Sequence, residues 1–272
     1  MVLRTTSLCV LLGLAFSKQP HILFVLIDDQ GYGDIGYTNP LVSNVSTPFI
    51  DSLAAEGLVL KRHYAQWSCS PSRASLMAGR YAAALGWEDG NASYNKLDCL
   101  KDEIDLLPGV LKKNGYATHL VGKWHLGYAA PTCLPCRRGF DTSYGFLGSE
   151  IHYFTHFIGT IPDHKYVDFY QCHRDEDAEN GMVLETLEAE QGTFSNDLYT
   201  ERVRNLTDTH DPDTPLFLYL SMQSIHYPYE VPPKFMPNCH YMITDDLCQV
   251  SLTLKTRMFS SFAPLQSYYH IR

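Results

Sequence analysis

Four short segments carry side chains that together could hold a cation, bind an anion and move a proton. Asp28 and Asp29 open Asp28-Asp29-Gln30-Gly31. Cys69 and Arg73 bracket Cys69-Ser70-Pro71-Ser72-Arg73. Lys123 and His125 lie in Gly122-Lys123-Trp124-His125-Leu126-Gly127, and His226 ends Gln223-Ser224-Ile225-His226. Adjacent carboxylates are hard oxygen ligands suited to a divalent cation such as Ca²⁺. Lys and Arg neutralise an anion, and His exchanges a proton near neutral or mildly acidic pH. Each has a plainer reading when taken singly. Asp28 and Asp29 could cap a turn, most of the 12 histidines are expected to be structural, and Trp67 and Trp124 read as packing residues.

The surrounding pattern explains how separate segments could meet. Ile22-Leu23-Phe24-Val25-Leu26-Ile27 is a continuous apolar run with β-branched members, which reads as a strand buried on both faces. Thr47-Pro48 opens a helix, with Thr47 as N-cap and Pro48 in the first turn, and Gly57 ends it. Pro71 to Arg80 and Leu106 to Lys113 read as helices, the latter stopped by Asn114-Gly115. Tyr116 to Val121 reads as a strand, Ser195 to Leu206 as a helix, and Pro215 to Met222 as an apolar strand. Strands alternating with helices define an α/β class with a mostly parallel sheet. Three of the strands end in the polar segments above, and open α/β sheets place ligands at the carboxyl ends of their strands.

The order and spacing of these segments resemble the sulfatase family, in the form found in arylsulfatase B-like enzymes, over roughly residues 20 to 235. The resemblance rests on Cys69-Ser70-Pro71-Ser72-Arg73 with Gly79-Arg80 after it, on Gly115-Tyr116-Ala117-Thr118 running into Gly122-Lys123-Trp124-His125, on Asp28-Asp29, and on Gln223 to His226 with Pro228 and Val231-Pro232 following. It implies an alkaline-phosphatase-like/sulfatase superfold, with a mostly parallel central sheet, helices on both faces and a C-terminally truncated extent. It also implies a sulfuric ester hydrolase acting on aryl or glycosaminoglycan sulfates, N-acetylgalactosamine 4-sulfate groups among them. In that family the motif cysteine is converted by a formylglycine-generating enzyme to formylglycine. Its aldehyde hydrates, and one hydroxyl attacks sulfur while the second allows sulfate to be expelled, which a plain Ser or Cys could not do. Carried over by position, Cys69 is the nucleophile precursor. Arg73 positions it and balances its charge, Lys123 contacts the sulfate, His125 bonds the diol, and His226 assists departure of the alcohol. Asp28, Asp29 and Cys69 are the metal ligands for one Ca²⁺. A Ser or Thr nucleophile of a related phosphatase or phosphodiesterase does not fit Cys69.

Composition sets the compartment and the alternatives. Of 272 residues, 45% are hydrophobic and 19% charged, enough for a substantial core, and the net charge of −9 argues against a nucleic-acid surface. Arg4, the apolar run Ser7 to Phe16 and the small residues around Ala15-Phe16-Ser17 read as a signal peptide over 1–17, too short for a membrane span. The sequons at Asn44, Asn91 and Asn205, and six cysteines beyond Cys9 and Cys69, fit a disulfide-bonded glycoprotein of the secretory pathway, lysosomal or extracellular. The pairing of Cys99, Cys133, Cys136, Cys172, Cys239 and Cys248 stays open, with Cys133-Leu134-Pro135-Cys136 read as structural rather than redox-active or zinc-binding.

The expected layout is a partial catalytic domain over 18–235 and a divergent tail over 236–272. The family's later Asp-Asn metal ligands and second Lys have no counterpart in that tail, where Asp245-Asp246 and Lys255 lack the matching context. The 272-residue chain by itself is therefore expected to have little or no sulfatase activity. A catalytically inactive secreted glycoprotein retaining part of the scaffold is the alternative.

Overall fold

The computed structural model describes residues 18–38, 47–88, 94, 98–158 and 166–233. The expectations for a signal peptide over 1–17, for the tail, for Cys239 and Cys248 and for the sequons at Asn44 and Asn91 lie outside the described residues. Six strands form one sheet: β1 (Ile22–Ile27), β2 (Ala117–Lys123), β3 (Thr142–Phe146), β4 (Tyr170–Arg174), β5 (Met182–Thr186) and β6 (Leu216–Met222), in the order β1-β6-β2-β3-β4-β5. β1, β6, β2 and β3 are mutually parallel; β4 and β5 extend the sheet antiparallel.

β6 is the strand buried on both faces. Leu218, Leu220 and Met222 enter one core with Leu198, Tyr199 and Val203 of helix α5 (Ser195–Thr209), with Phe49 of helix α1 (Pro48–Glu56) packed against it. Phe217 and Tyr219 enter the other. There they meet Ala74 and Met77 of helix α2 (Cys69–Ala78) and Leu85 of the short helix α3 (Ala82–Leu85), with Leu107 and Leu111 of helix α4 (Leu107–Lys113) alongside. Helices thus cover both faces, as the alternating period of β6 requires.

Several details depart from expectation. β1 is not doubly buried: it lies at a sheet edge among the described residues, with Leu23 exposed, because β6 covers only one of its sides. Thr47 precedes α1, but its hydroxyl is not a cap. It accepts from Gly36 N at 2.9 Å and donates to Asp51 Oδ1 at 2.9 Å, tying the loop after β1 to the helix. α2 begins at Cys69 rather than Pro71 and stops at Ala78, where Gly79 takes a left-handed φ of 62°. β2 runs two residues further than expected, so Lys123 ends a strand. Gly122 in that strand has φ 104°, and a Cβ there would lie 1.9 Å from the Ser221 carbonyl oxygen of β6.

Two disulfides, Cys99–Cys133 and Cys136–Cys172, send the two cysteines of the CxxC segment to different partners. The segment is structural, as read, and it is not a dithiol pair.

His119 of β2 sits between sheet and helix, sharing a 2.8 Å hydrogen bond between Nδ1 and Thr142 Oγ1. Burial, with smaller contributions from His210, Arg202 and Lys112, pushes it down to about 4. The unfolded chain binds this proton near pH 6.5 and the folded chain does not, so stability falls as pH drops from 6.5 towards 4. His119→Gln is expected to remove about 2 kcal/mol of the stability loss between pH 7 and pH 4.5. Urea unfolding at the two pH values measures it, and an unchanged pH dependence would show that His119 is not the group responsible.

Candidate active site

The carboxyl ends of β1, β6 and β2 meet where α2 begins. The loop after β1 is zipped to the loop after β6 by Asp28 N to Ser224 O at 2.9 Å and Ile225 N to Asp28 O at 2.7 Å. Asp28 therefore points into the junction rather than into solvent, with 5% of its surface exposed. Its Oδ1 accepts from Arg73 Nη2 at 3.0 Å and its Oδ2 from Lys123 Nζ at 2.6 Å. All three side chains are buried. Burial alone would raise the Asp28 carboxyl, but Lys123 and Arg73 outweigh it and hold the group well below the ordinary carboxylate range. Burial works against the Arg73 charge too, yet Asp28 keeps it raised.

Arg73 is held from several sides. Its Nη1 donates to Lys123 O at 3.3 Å, Tyr219 Oη at 3.4 Å and Ser221 Oγ. Tyr219 and Ser221 are alternate residues of β6 and so share a face. A serine in an otherwise apolar buried strand was a sequence signal for this role; Tyr219 gave none.

The position of the next pair follows from Trp124. Its ring packs edge-on to Phe140 in the core, and Nε1 donates to Gly127 O and Cys133 O, each at 3.1 Å. Lys123 and His125 flank this anchor. His125 has φ 52°, a conformation a side chain adopts at a cost of order 1–3 kcal/mol and one that clusters at functional sites. Burial, then Lys123 and Arg73, push its imidazole well below its ordinary range, so it is neutral at neutral pH. Its Nε2 shares a 3.1 Å bond with Ser70 Oγ, while its Nδ1 is buried with no partner among the described residues. Ser70 was not singled out in the sequence; only its place beside Cys69 could have suggested it.

Cys69 is the first residue of α2, at the positive end of the helix dipole. It is the free cysteine among the described residues. Burial pushes the thiol up; Lys123 opposes this, and Asp28 and Asp29 add to it. At neutral pH the side chain is thus a thiol, a weak nucleophile. Asp28, Cys69 and His226 each offer one ligand atom, and these atoms lie within 4.8 Å of one another. His226 Nε2 lies 3.6 Å from Asp29 Oδ2, and Asp29, at φ 59°, is more than half exposed. The His226 segment is pinned by Tyr153, whose hydroxyl donates to Gln223 O at 3.3 Å and His226 O at 3.1 Å. All seven residues singled out by type and spacing are therefore at one junction. Trp67 is the exception to its reading: it is 73% exposed and donates to Glu88 O rather than packing in the core.

A divalent cation was expected here. Asp28 and Asp29 supply hard oxygens, and the Cys69 sulfur lies within 4.8 Å of an Asp28 oxygen. Gln30 Nε2 and Arg73 Nε are further buried nitrogens with no partner among the described residues. The set fits one side of a hard-cation shell, in which Ca²⁺ takes about six to eight oxygens.

A mostly parallel sheet whose strand ends gather two buried cations, two carboxylates and a cysteine at a helix start defines an α/β protein with a charged site at the carboxyl ends of its strands. The family described as "Sulfatase" matches residues 20–244. The chain belongs to the sulfatase family. It is 38% identical to arylsulfatase J of Mus musculus over 229 residues, 84% of this chain and 36% of that protein. It is 32% identical to human arylsulfatase A, across 83% of this chain and 45% of that one. With N-acetylgalactosamine-6-sulfatase of Mus musculus the identity is 31%, across 86% and 45%. The chain therefore spans less than half the length of these relatives. The crystal structure of Ps i-CgsB in complex with k-i-k-neocarrahexaose superposes with a TM-score of 0.76 at 23% identity, over 92% of this chain and 55% of that one. The PsFucS1 sulfatase from Pseudoalteromonas sp. does so with a TM-score of 0.69 at 22% identity. These structures establish the fold.

Removing the charge of Asp28 leaves two buried cations against each other. Asp28→Asn is expected to destabilise the fold by about 3–5 kcal/mol, the range for breaking a buried pair from one side. Asp29→Asn, largely in solvent, is expected to cost less than about 1 kcal/mol. Denaturant melts of both variants provide the comparison, and equal losses would contradict the assignment of Asp28 as the central counter-ion.

Proposed function

We propose that this junction is built to hydrolyse sulfate esters, with residue 69 acting after conversion of Cys69 to formylglycine. The observation that carries the reading is the placement of Cys69 at the start of α2, with Asp28 and His226 within reach and Lys123 and Arg73 in the same buried cluster. In that role formylglycine supplies, as its hydrate, the hydroxyl that attacks sulfur. Asp28, Asp29 and the modified residue would hold Ca²⁺, which supplies charge neutralisation on the sulfate oxygens. Lys123 and Arg73 hold positive charge against the residue at 69 and the sulfate, and Asp28 keeps both oriented. His125, neutral and with no partner on Nδ1 among the described residues, exchanges a proton with the residue at 69. His226 stands at the exposed side, where it can donate a proton to the departing alcohol.

Aryl or glycosaminoglycan sulfates are the proposed substrate class. The names of the relatives support it, as does the glycan in the Ps i-CgsB complex. N-acetylgalactosamine sulfates are the first to test. Two disulfides and an exposed Asn205 in its sequon support a secretory route, lysosomal or extracellular, with a formylglycine-generating enzyme as maturation partner. No helix among the described residues is long and apolar enough to cross a membrane.

One observation favours a second reading, a secreted glycoprotein that keeps the scaffold without turnover. Asp28 and Asp29 are the carboxylates the described residues bring to the junction, against the larger oxygen shell of Ca²⁺.

Expression with a formylglycine-generating enzyme, followed by mass spectrometry of the peptide carrying residue 69, is expected to show the aldehyde in the native sequence and none in Cys69→Ala. Unmodified Cys69 in that host would remove the proposal. Aryl sulfate turnover by the purified, aldehyde-bearing chain is expected to exceed that of Cys69→Ala, and turnover no greater than that of Cys69→Ala at full aldehyde conversion would favour the second reading.

A further inference from the structure

The other end of the sheet carries a cavity of about 470 Å³ that the hydrolytic reading does not use. It lies at the start of β2, where Thr118 Oγ1 donates to Gly139 O at 2.8 Å. Lys123 is at the far end of the same strand, about 20 Å away at about 3.3 Å per residue. Five cationic side chains line the cavity: Lys112, Lys113, Arg137, Arg138 and Arg174. In a chain of net charge −9 this is a local reversal of sign.

Three of the five are matched by carboxylates. Lys113 pairs with Asp105 at 2.9 Å, Arg138 with Asp102 at 3.2 Å, and Lys112 with Asp141. Arg137 and Arg174 are left over. Both are exposed, and neither guanidinium has an ion pair or hydrogen bond among the described residues. The acidic turn after Arg174 lies outside the cavity lining and closes on itself, Asp177 N donating to Asp175 Oδ1 at 3.0 Å.

The backbone fixes these two arginines relative to each other. The Cys136–Cys172 disulfide, with Cα atoms 6.3 Å apart, joins the residue before Arg137 to the residue two before Arg174, on the same face of β4. Arg174 N donates to Asp141 O at 3.0 Å, holding the strand end beside β3. Arg137 reaches across to the β4–β5 turn, where a Cβ on Gly181 would lie 2.2 Å from Nη1. Two unmatched guanidinium groups on a stapled frame, beside a charged and open cavity, suit oxyanions that recur at intervals along a chain.

We propose that this cavity is a second anion site, which grips sulfate groups of a sulfated glycan at the opposite end of the sheet from the candidate hydrolytic centre. The choice of sulfated glycan over another oxyanion rests on the sulfate-ester reading of that centre.

The test is calorimetric titration of the full chain carrying Cys69→Ala, which prevents turnover, with a chondroitin sulfate hexasaccharide. Arg137→Ala with Arg174→Ala is expected to weaken binding about tenfold, or about 1.4 kcal/mol, and to make it less sensitive to salt. The single Arg137→Gln and Arg174→Gln variants give the same reading should the double variant unfold. Arg204→Ala, at an exposed cation of α5 outside the cavity lining, is expected to leave the binding unchanged, and a loss there equal to that of the arginine pair overturns the proposal. The proposal falls if the arginine variants bind like the parent or if unsulfated chondroitin binds equally well. It also falls if inorganic phosphate or inorganic sulfate competes at the hexasaccharide's own concentration, which would make this a simple anion site. Formylglycine analysis of the native sequence is read separately, so failure of the hydrolytic reading and failure of this site remain distinct results.

Discussion

The Asp28 carboxylate, shared between Arg73 and Lys123, is the interaction on which the rest of the site depends. It joins the end of β1, the first turns of α2 and the end of β2, three segments far apart in sequence. As a stabilising device it is poor. Desolvation of buried ions costs several kcal/mol each, and an apolar replacement of all three side chains could serve stability as well. Its effect is positional. With Asp28 present, two cations stand side by side in a dry pocket; without it their repulsion would open the junction. One carboxylate against two cations also leaves the buried cluster with a surplus of positive charge, which an arriving oxyanion would meet.

Backbone geometry serves the same end. The paired bonds between the Asp28 and Ser224–Ile225 segments fasten β1 to β6 beyond the last strand residues, so the Asp28 side chain leaves the sheet at a fixed angle. Trp124 does for β2 what those bonds do for β1. Its anchoring in the core forces Lys123 and His125 towards the junction, and the positive φ at His125 is the local cost of turning the chain immediately after the strand. Tyr153 then fixes the carbonyl of His226 from outside the sheet.

The long apolar strands and the seven charged or nucleophilic residues were legible in the sequence because each signal is local. Ile22 to Ile27 and Pro215 to Met222 read as strands from composition alone. Composition does not say which of two apolar runs is central, and among the described residues β1 lies at the edge. β3, β4 and β5 were missed because Thr142-Ser143-Tyr144-Gly145-Phe146 is broken by Gly and polar residues, and Tyr170-Gln171-Cys172-His173-Arg174 has one face in solvent and no continuous apolar run. The partners of the site residues were hidden for another reason. Ser70, Tyr153, Tyr219 and Ser221 act through contacts that close only when distant segments meet. The disulfide pairing was illegible on the same grounds: nothing in Cys133-Leu134-Pro135-Cys136 tells that its two thiols face different partners.

The electrostatics of residue 69 give the site its direction. Burial and the two neighbouring carboxylates keep Cys69 a neutral thiol in spite of Lys123 and Arg73. Positive charge held this close stabilises little on a neutral sulfur. It acts fully only on negative charge that is brought in by an oxyanion or that develops on the atom at position 69. His125 is held neutral by burial and by the same two cations, and its Nδ1 has no hydrogen-bond partner among the described residues. The arrangement around Cys69 is thus matched to chemistry that the thiol itself does not perform, which is the physical reason for reading this cysteine as a precursor rather than as the reacting group.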